Sequence, residues 1–271
     1  MKSLSNLDWI LKDGEIRVGR YGPVFQAMRT DTGEFITAER LRLEEPSDSY
    51  ALESVVSHLQ SKQMNQSEPN VVSYLGYRRR ADHIFILTEH SAGGTLRDFI
   101  QRSGAVPQPL VRTILRQIVL GLVQLHKHGF AVVFLDSKNI LMGNDGAIKI
   151  EAPLLDVTIA GQPLPSVVLT LPELLLGQQN MRKADVWLLG IVAAQLLSGD
   201  CNDLAASLAS NFATQIKQNE GSAWELLIPH HVTRKLDPQA SDFLRQCLSI
   251  NINQRPSIFN LQEHLFLSAA K

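Results

Sequence analysis

Cysteine is scarce in this chain, with two residues in 271. Cys201 and Cys247 lie far apart in sequence and fit the reduced thiols of a cytoplasmic protein better than a disulfide framework. No apolar run approaches the ~20 residues of a membrane span. The Met1 end lacks the apolar core of a secretion signal, so neither an anchor nor a leader is expected. An excess of one charge is also missing. Lys and Arg total 26 against 27 Asp and Glu, for a formal net charge of −1, which gives no pull toward nucleic acid or an anionic membrane. The one basic cluster, Arg78-Arg79-Arg80, reads as a solvated strand turn. Repeats and low-complexity tails are absent.

What is present is ordinary globular composition, 44% hydrophobic and 20% charged, long enough for one domain with a substantial core. The first part reads as strands at 15–18, 24–28 and 34–43, with Thr30-Asp31-Thr32-Gly33 as a hairpin turn. Residues 50–62 read as a helix with Leu52, Val55, Val56 and Leu59 on one face. Two further strands are expected at 71–77 and 84–88. After Gly94 the pattern turns helical. Thr95 can cap a short helix through Ile100. A long helix from about Pro109 to Lys127 carries Ile114, Leu115, Ile118, Leu122 and Leu125 at helical spacing. A small hairpin at 140–142 and 147–150 follows, and the chain from Lys183 onward is mainly helical, with breaks at Gly199 and Pro238.

Several motifs occur in a fixed order: Val18-Gly19-Arg20-Tyr21-Gly22-Pro23-Val24, Glu68-Pro69-Asn70-Val71, Ile86-Leu87-Thr88-Glu89, Asn139-Ile140-Leu141, Leu171-Pro172-Glu173, Ala184-Asp185-Val186-Trp187 and Arg255-Pro256-Ser257. Together they resemble the protein kinase superfamily from about residue 10 to residue 268. The style is that of Ser/Thr kinases of the sterile-20/MAP-kinase-kinase-kinase type, or of the kinase-like segment beside the active kinase of some translation-factor kinases. The resemblance implies an α+β, bilobal protein-kinase-like fold over residues 1–271, taken as a single domain. A small lobe of about 1–89 would hold a five-stranded sheet plus one helix, and a mainly helical large lobe would span about 90–271.

Aligned on that family, the positions that carry its chemistry hold other residues. Phosphoryl transfer needs cations and metal ligands on the phosphates and an aligned nucleophile. Glu39 stands at the phosphate-lysine position. It is expected as an exposed carboxylate at the cleft edge that repels phosphates. Glu53 is the helix glutamate that would have paired with that lysine. Gly19 and Gly22 remain of the Gly-rich loop, with Arg17 at the first glycine, and Arg17 or Arg20 is a candidate displaced cation. Val132, Val133 and Phe134 occupy the His-Arg-Asp positions, so a phenyl ring replaces the base. Asp136 is the nearest carboxylate, expected mainly in a capping or surface role. Ala152, Pro153 and Leu154 occupy Asp-Phe-Gly, with Glu151 one residue early. Thr88 at the gatekeeper position and Asn139 are vestiges of the nucleotide site. The scaffold positions persist. Glu173 and Arg255 match the family's buried ion pair, and Asp185 matches the carboxylate that accepts amide hydrogens from the catalytic loop.

These substitutions lead to the expectation of a non-catalytic kinase-like domain, with no cofactor and no metal. Such a domain would regulate or scaffold an active protein kinase in the same chain or another chain. A homodimer is a further option, and neither nucleic acid nor membrane is an expected partner. Two alternatives stay open: a metal-independent nucleotide sensor, and a rewired Ser/Thr kinase using Asp136, Glu151 and Arg17.

Overall fold

The structure, a computed structural model, describes residues 8–42, 68–80, 83–152, 171–175, 180–201, 224 and 228–268. The expected helix at 50–62 with Glu53, the residues Pro153 and Leu154, and the segment to Thr170 lie outside the described residues. The chain divides into two compact units. The first holds the described residues through Ala92 together with Ala152, and the second holds those from Gly93 to Glu151 and from Leu171 onward.

The first unit is a five-stranded antiparallel sheet. Its strands are β1 (Trp9–Val18), β2 (Pro23–Arg29), β3 (Phe35–Arg42), β4 (Tyr74–Arg80) and β5 (His83–Glu89), in the order β1-β2-β3-β5-β4. Alternation along β3 sends Ile36 and Ala38 to one face, where they join Trp9, Ala27, Phe85 and Leu87 in a buried cluster. Trp9 and Phe85 meet edge to face, with centroids 5.4 Å apart. The other face of β3 carries Thr37, Glu39 and Leu41, and all three are buried as well. The register sets Val24 opposite Glu39 on one side and Ile86 on the other. This places the Gly19–Gly22 turn, just before Val24, directly over Glu39.

Two strands run further than local signals indicate. β1 begins at Trp9, because its pairing with β2 tolerates an irregularity between Leu11 and Glu15 that accommodates Asp13-Gly14. β4 runs through the arginine run instead of turning there. The Arg80 guanidinium lies 4.3 Å from the Trp9 ring, so its charge caps the cluster.

The second unit is mainly helical. Helix α1 (Leu96–Ser103) starts at a capping box. Thr95 Oγ1 accepts from the Asp98 amide, and the Asp98 carboxylate accepts from the Thr95 amide. Helix α2 (Gln108–Lys127) buries Val111, Ile114, Leu115, Ile118, Leu122 and Leu125 along one stripe. A single 3-10 turn (Ser137–Asn139) leads into the hairpin β6 (Ile140–Met142) and β7 (Ile148–Ile150).

A short helix, α3 (Pro172–Leu175), precedes α4 (Met181–Ser198). In α4 every residue from Ala184 to Leu197 is buried, the pattern of a helix enclosed on all sides. It packs against α2 and against α6 (Pro238–Cys247). Gly190 makes the α6 approach fit, since a Cβ there would lie 2.8 Å from Leu248 Cδ2 and 2.9 Å from Cys247 Cβ. Gly199 ends α4 in the left-handed region at φ 73°. Helices α5 (His230–Thr233) and α7 (Ile258–Gln262) also belong to this unit.

Candidate active site

In the first unit, the remnant of the glycine-rich loop is a tight turn. The Gly19 amide donates to the Gly22 carbonyl at 2.8 Å, and the Tyr21 amide donates to Glu39 Oε1 at 2.6 Å. The expectation of an exposed Glu39 at the cleft edge is wrong, since the residue is only 7% exposed. A charge this deep needs a partner, and the loop's own backbone supplies one. Gly19 makes the approach feasible, because a Cβ at this position would fall onto the Glu39 carboxylate and lie 2.6 Å from Val24 Cγ2. At Gly22 a Cβ would fall onto the Arg40 carbonyl. Arg17 and Arg20 are half-buried.

Thr88 is buried on β5, in register with Thr37 and Tyr74. One residue past β5, His90 bridges two strands. Its Nε2 lies 3.0 Å from Gln26 Nε2, and its Nδ1 lies 3.2 Å from Thr37 Oγ1. Burial pushes its pKa below the ordinary imidazole value. The neutral ring accepts from the Gln26 amide and donates Nδ1–H to the Thr37 hydroxyl. Nothing in the local sequence signals this bridge, because Gln26 is 64 residues away.

In the second unit, the catalytic loop is held by its backbone. Asp185, fully buried on α4, accepts from the Val132 amide at 2.8 Å and the Val133 amide at 2.6 Å. Its Oδ2 also lies 2.7 Å from His126 Nε2, buried on α2. His126 is a functional residue that motif spacing misses. Its signal is a histidine on the apolar stripe of a long helix, a position that requires a buried partner. Val133 sits at φ 60°, an uncommon state for a β-branched residue that surroundings must enforce. The amides of Val132 and Val133 are held by Asp185, and the Phe134 amide donates to the Val132 carbonyl at 2.7 Å, closing a tight turn over Val133.

Phe134 is 6% exposed, and its carbonyl accepts from Asn139 Nδ2 at 3.1 Å. Asp136 caps the following 3-10 turn, accepting from the Lys138 amide at 3.0 Å, with Arg97 Nη2 3.7 Å away. The Glu151 amide donates to the Asn139 carbonyl at 2.9 Å, which ties the loop to the residue before Ala152. The Ala152 side chain offers no donor atom, and the described residues hold no cluster of three or more His, Cys, Asp or Glu able to take a metal ion. Among the described residues, the side chains do not build the magnesium site that the resemblance implies.

The structure also brings Glu173 and Arg255 together. Arg255, 1% exposed, donates from Nη1 to Glu173 Oε1, and to the Lys183 carbonyl at 2.8 Å. Its Nε and Nη2 both donate to the Ser249 carbonyl, at 3.0 and 2.9 Å. The guanidinium carbon lies 5.0 Å from the centre of the Trp187 ring. Burial pulls the Arg255 pKa down from its ordinary value, and Glu173 opposes that shift. Lys183 Nζ donates to the Arg255 carbonyl. Burial and the Arg255 charge lower its pKa.

A strand-built first unit with a glycine turn, and a helical second unit with a loop clamped by a central-helix aspartate, are the architecture of a protein-kinase-like domain. The family described as "Protein kinase domain" matches residues 12–267, and the chain belongs to it. The chain is similar to Mitogen-activated protein kinase kinase kinase 2 of Arabidopsis thaliana, 27% identical over 92% of this chain and 39% of that protein. It is 27% identical to MAP kinase kinase kinase mkh1 of Schizosaccharomyces pombe, over 92% of this chain and 23% of that protein. Serine/threonine-protein kinase PAK 1 of Mus musculus is 26% identical over 95% of this chain and 46% of that protein. The chain thus spans less than half the length of these relatives. Rad53 1-466, solved in complex with AMP-PNP, matches 96% of this chain and 66% of its own with a TM-score of 0.77 at 20% identity, which shows the fold.

These findings overturn the expectation of a non-catalytic regulator that is not an enzyme, because the relatives are named as protein kinases. That expectation treats a few side chains as decisive. Phosphoryl transfer is achieved mainly by positioning and electrostatics, with little covalent chemistry for the protein to do. Substitutions at aligned positions therefore do not by themselves establish that transfer is absent.

Proposed function

We propose that the chain is a serine/threonine-type kinase domain of the MAP-kinase-kinase-kinase class. It transfers the terminal phosphoryl group of ATP to a hydroxyl on a second protein kinase, in the same chain or another, in the cytoplasm. The observation that carries this is the match to the protein kinase domain across residues 12–267, with relatives whose names describe kinases acting on kinases. The clamped catalytic loop supports it. Asp185 and Asn139 fix the backbone around residues 132–139 before any substrate arrives, and fixed geometry is worth much of a transfer barrier. The free, buried thiols of Cys201 and Cys247 support a reducing compartment. Among the described residues, no helix is long and apolar enough to cross a membrane.

Phe134 cannot accept a proton, so the role of base falls to Asp136, the carboxylate within the clamped loop. The test is transfer from ATP to a purified MAP-kinase kinase, comparing the chain with Asp136→Asn. The expected result is transfer that the variant lowers by about 10²–10⁴-fold, the range for a lost general base. Transfer no faster than an enzyme-free blank overturns the proposal. Transfer unaffected by Asp136→Asn removes Asp136 from it.

A further inference from the structure

The glycine turn of the first unit already holds an anion, and the anion belongs to the protein. Kinase-type glycine loops receive phosphates by bringing backbone amides close to the oxygens, which requires glycine where a Cβ would intrude. Here the Gly19 position is open, but the space a Cβ would take is filled by the Glu39 carboxylate. The Tyr21 amide, within the turn, points at Glu39 Oε1 at 2.6 Å. The backbone register keeps the carboxylate at the turn, because Glu39 lies on β3 directly opposite Val24, the second residue of the strand that follows the turn. Both Glu39 and Tyr21 are buried, so this is not a surface carboxylate that happens to lie near a loop.

We propose that Glu39 is an internal occupant of the phosphate-binding turn, and that a nucleoside triphosphate seats on Gly19–Gly22 only when this carboxylate leaves. Two effects work together. The Tyr21 amide can serve only one anion at a time. A triphosphate placed on the turn while Glu39 remains also meets a like charge at short range, in a setting where water screens it poorly. Glu39 therefore sets the nucleotide affinity of the domain, and a contact that draws Glu39 out of the turn raises it. This inference rests on the kinase proposal above only in taking ATP as the ligand.

The experiment is a calorimetric titration of ATP, and separately of inorganic tripolyphosphate, into the chain and into Glu39→Gln. The variant keeps the size and one acceptor oxygen, so the fold is retained. It removes the charge and leaves a neutral hydrogen bond about half as strong. Binding of both ligands is expected to tighten at least about tenfold, a change of ~1.4 kcal/mol. In parallel, the Tyr21 amide resonance is expected to move upfield in Glu39→Gln, as a charge-assisted bond becomes a neutral one. Equal affinities for the chain and the variant overturn the inference and leave the kinase proposal standing. A Tyr21 amide that does not move also overturns it, by showing that the contact is absent in solution. If ATP binds neither protein, the inference fails, and an accompanying lack of transfer removes the kinase proposal with it.

Discussion

Replacing Arg255 with alanine removes a buried, multiply bonded charge from the helical unit. Arg255 is 1% exposed and Glu173 is 3% exposed. The substitution strips Glu173 of its cation, leaves the Ser249 carbonyl without two donors and the Lys183 carbonyl without one, and uncovers a face of Trp187. The magnitude follows from the charge left behind more than from the hydrogen bonds removed. An unpaired buried carboxylate after removal of its partner costs about 3–5 kcal/mol. With a urea slope at the upper end of the ~1–3 kcal/mol/M range, fitting a chain of this size, the midpoint should fall by on the order of 1.5 M. The natural comparison is Asn139→Ala, which removes one hydrogen bond to the Phe134 carbonyl. At about 1 kcal/mol, its midpoint should fall by less than about 0.5 M. Urea unfolding followed by far-UV circular dichroism measures both. Arg255→Ala within about 0.5 M of the parent, or Asn139→Ala the more damaging of the two, refutes the reasoning.

Asp185→Asn should destabilise the chain by about 3 kcal/mol, because two backbone amides and His126 lose a charged acceptor; thermal unfolding measures it. Val133→Gly should be neutral or stabilising by up to about 1 kcal/mol, since it relieves a β-branched residue at φ 60°, and an ordinary loss of about 1 kcal/mol or more would argue against the strain. Gly190→Ala should cost about 1–3 kcal/mol by forcing α4 away from Cys247 and Leu248, again read as a urea midpoint. His90 supplies a pH test. Burial holds its folded pKa below 6.5, so the unfolded chain binds more protons between the two values. Its contribution is fully present above pH ~6.5 and declines as the pH falls toward the folded value. The difference in unfolding free energy between the parent and His90→Gln should therefore slope with pH below ~6.5 and stay flat above it.

The order of elements was legible in the sequence because alternation and helical spacing are local signals. The five strands of the first unit and the long helix α2 stand where those signals put them, give or take their ends. The ends failed for physical reasons. Asp13-Gly14 looks like a break, yet an irregular register carries the strand through it. The arginine run looks like a solvated turn, yet a guanidinium can stay in water while lying over the Trp9 ring. The site was harder. The Glu173–Arg255 pair and the bonds of Asp185 to the loop amides were implied by the family resemblance. The burial of Glu39 was not, because its partner is a backbone amide 18 residues away, and no side chain in the sequence announces a backbone donor. His126 and the Gln26–His90–Thr37 bridge share that difficulty, since each depends on a partner brought close only by the finished fold.

The central claim, transfer of phosphate from ATP to a second kinase, is tested most directly by intact mass spectrometry of its product. A MAP-kinase kinase made unable to transfer phosphate itself is incubated with ATP and this chain, or with its Asp185→Asn variant. The account predicts added phosphoryl groups on Ser or Thr of the substrate with the parent chain, and far fewer with the variant, whose catalytic loop is no longer clamped. A substrate that stays at its starting mass after prolonged incubation with the folded parent chain contradicts it.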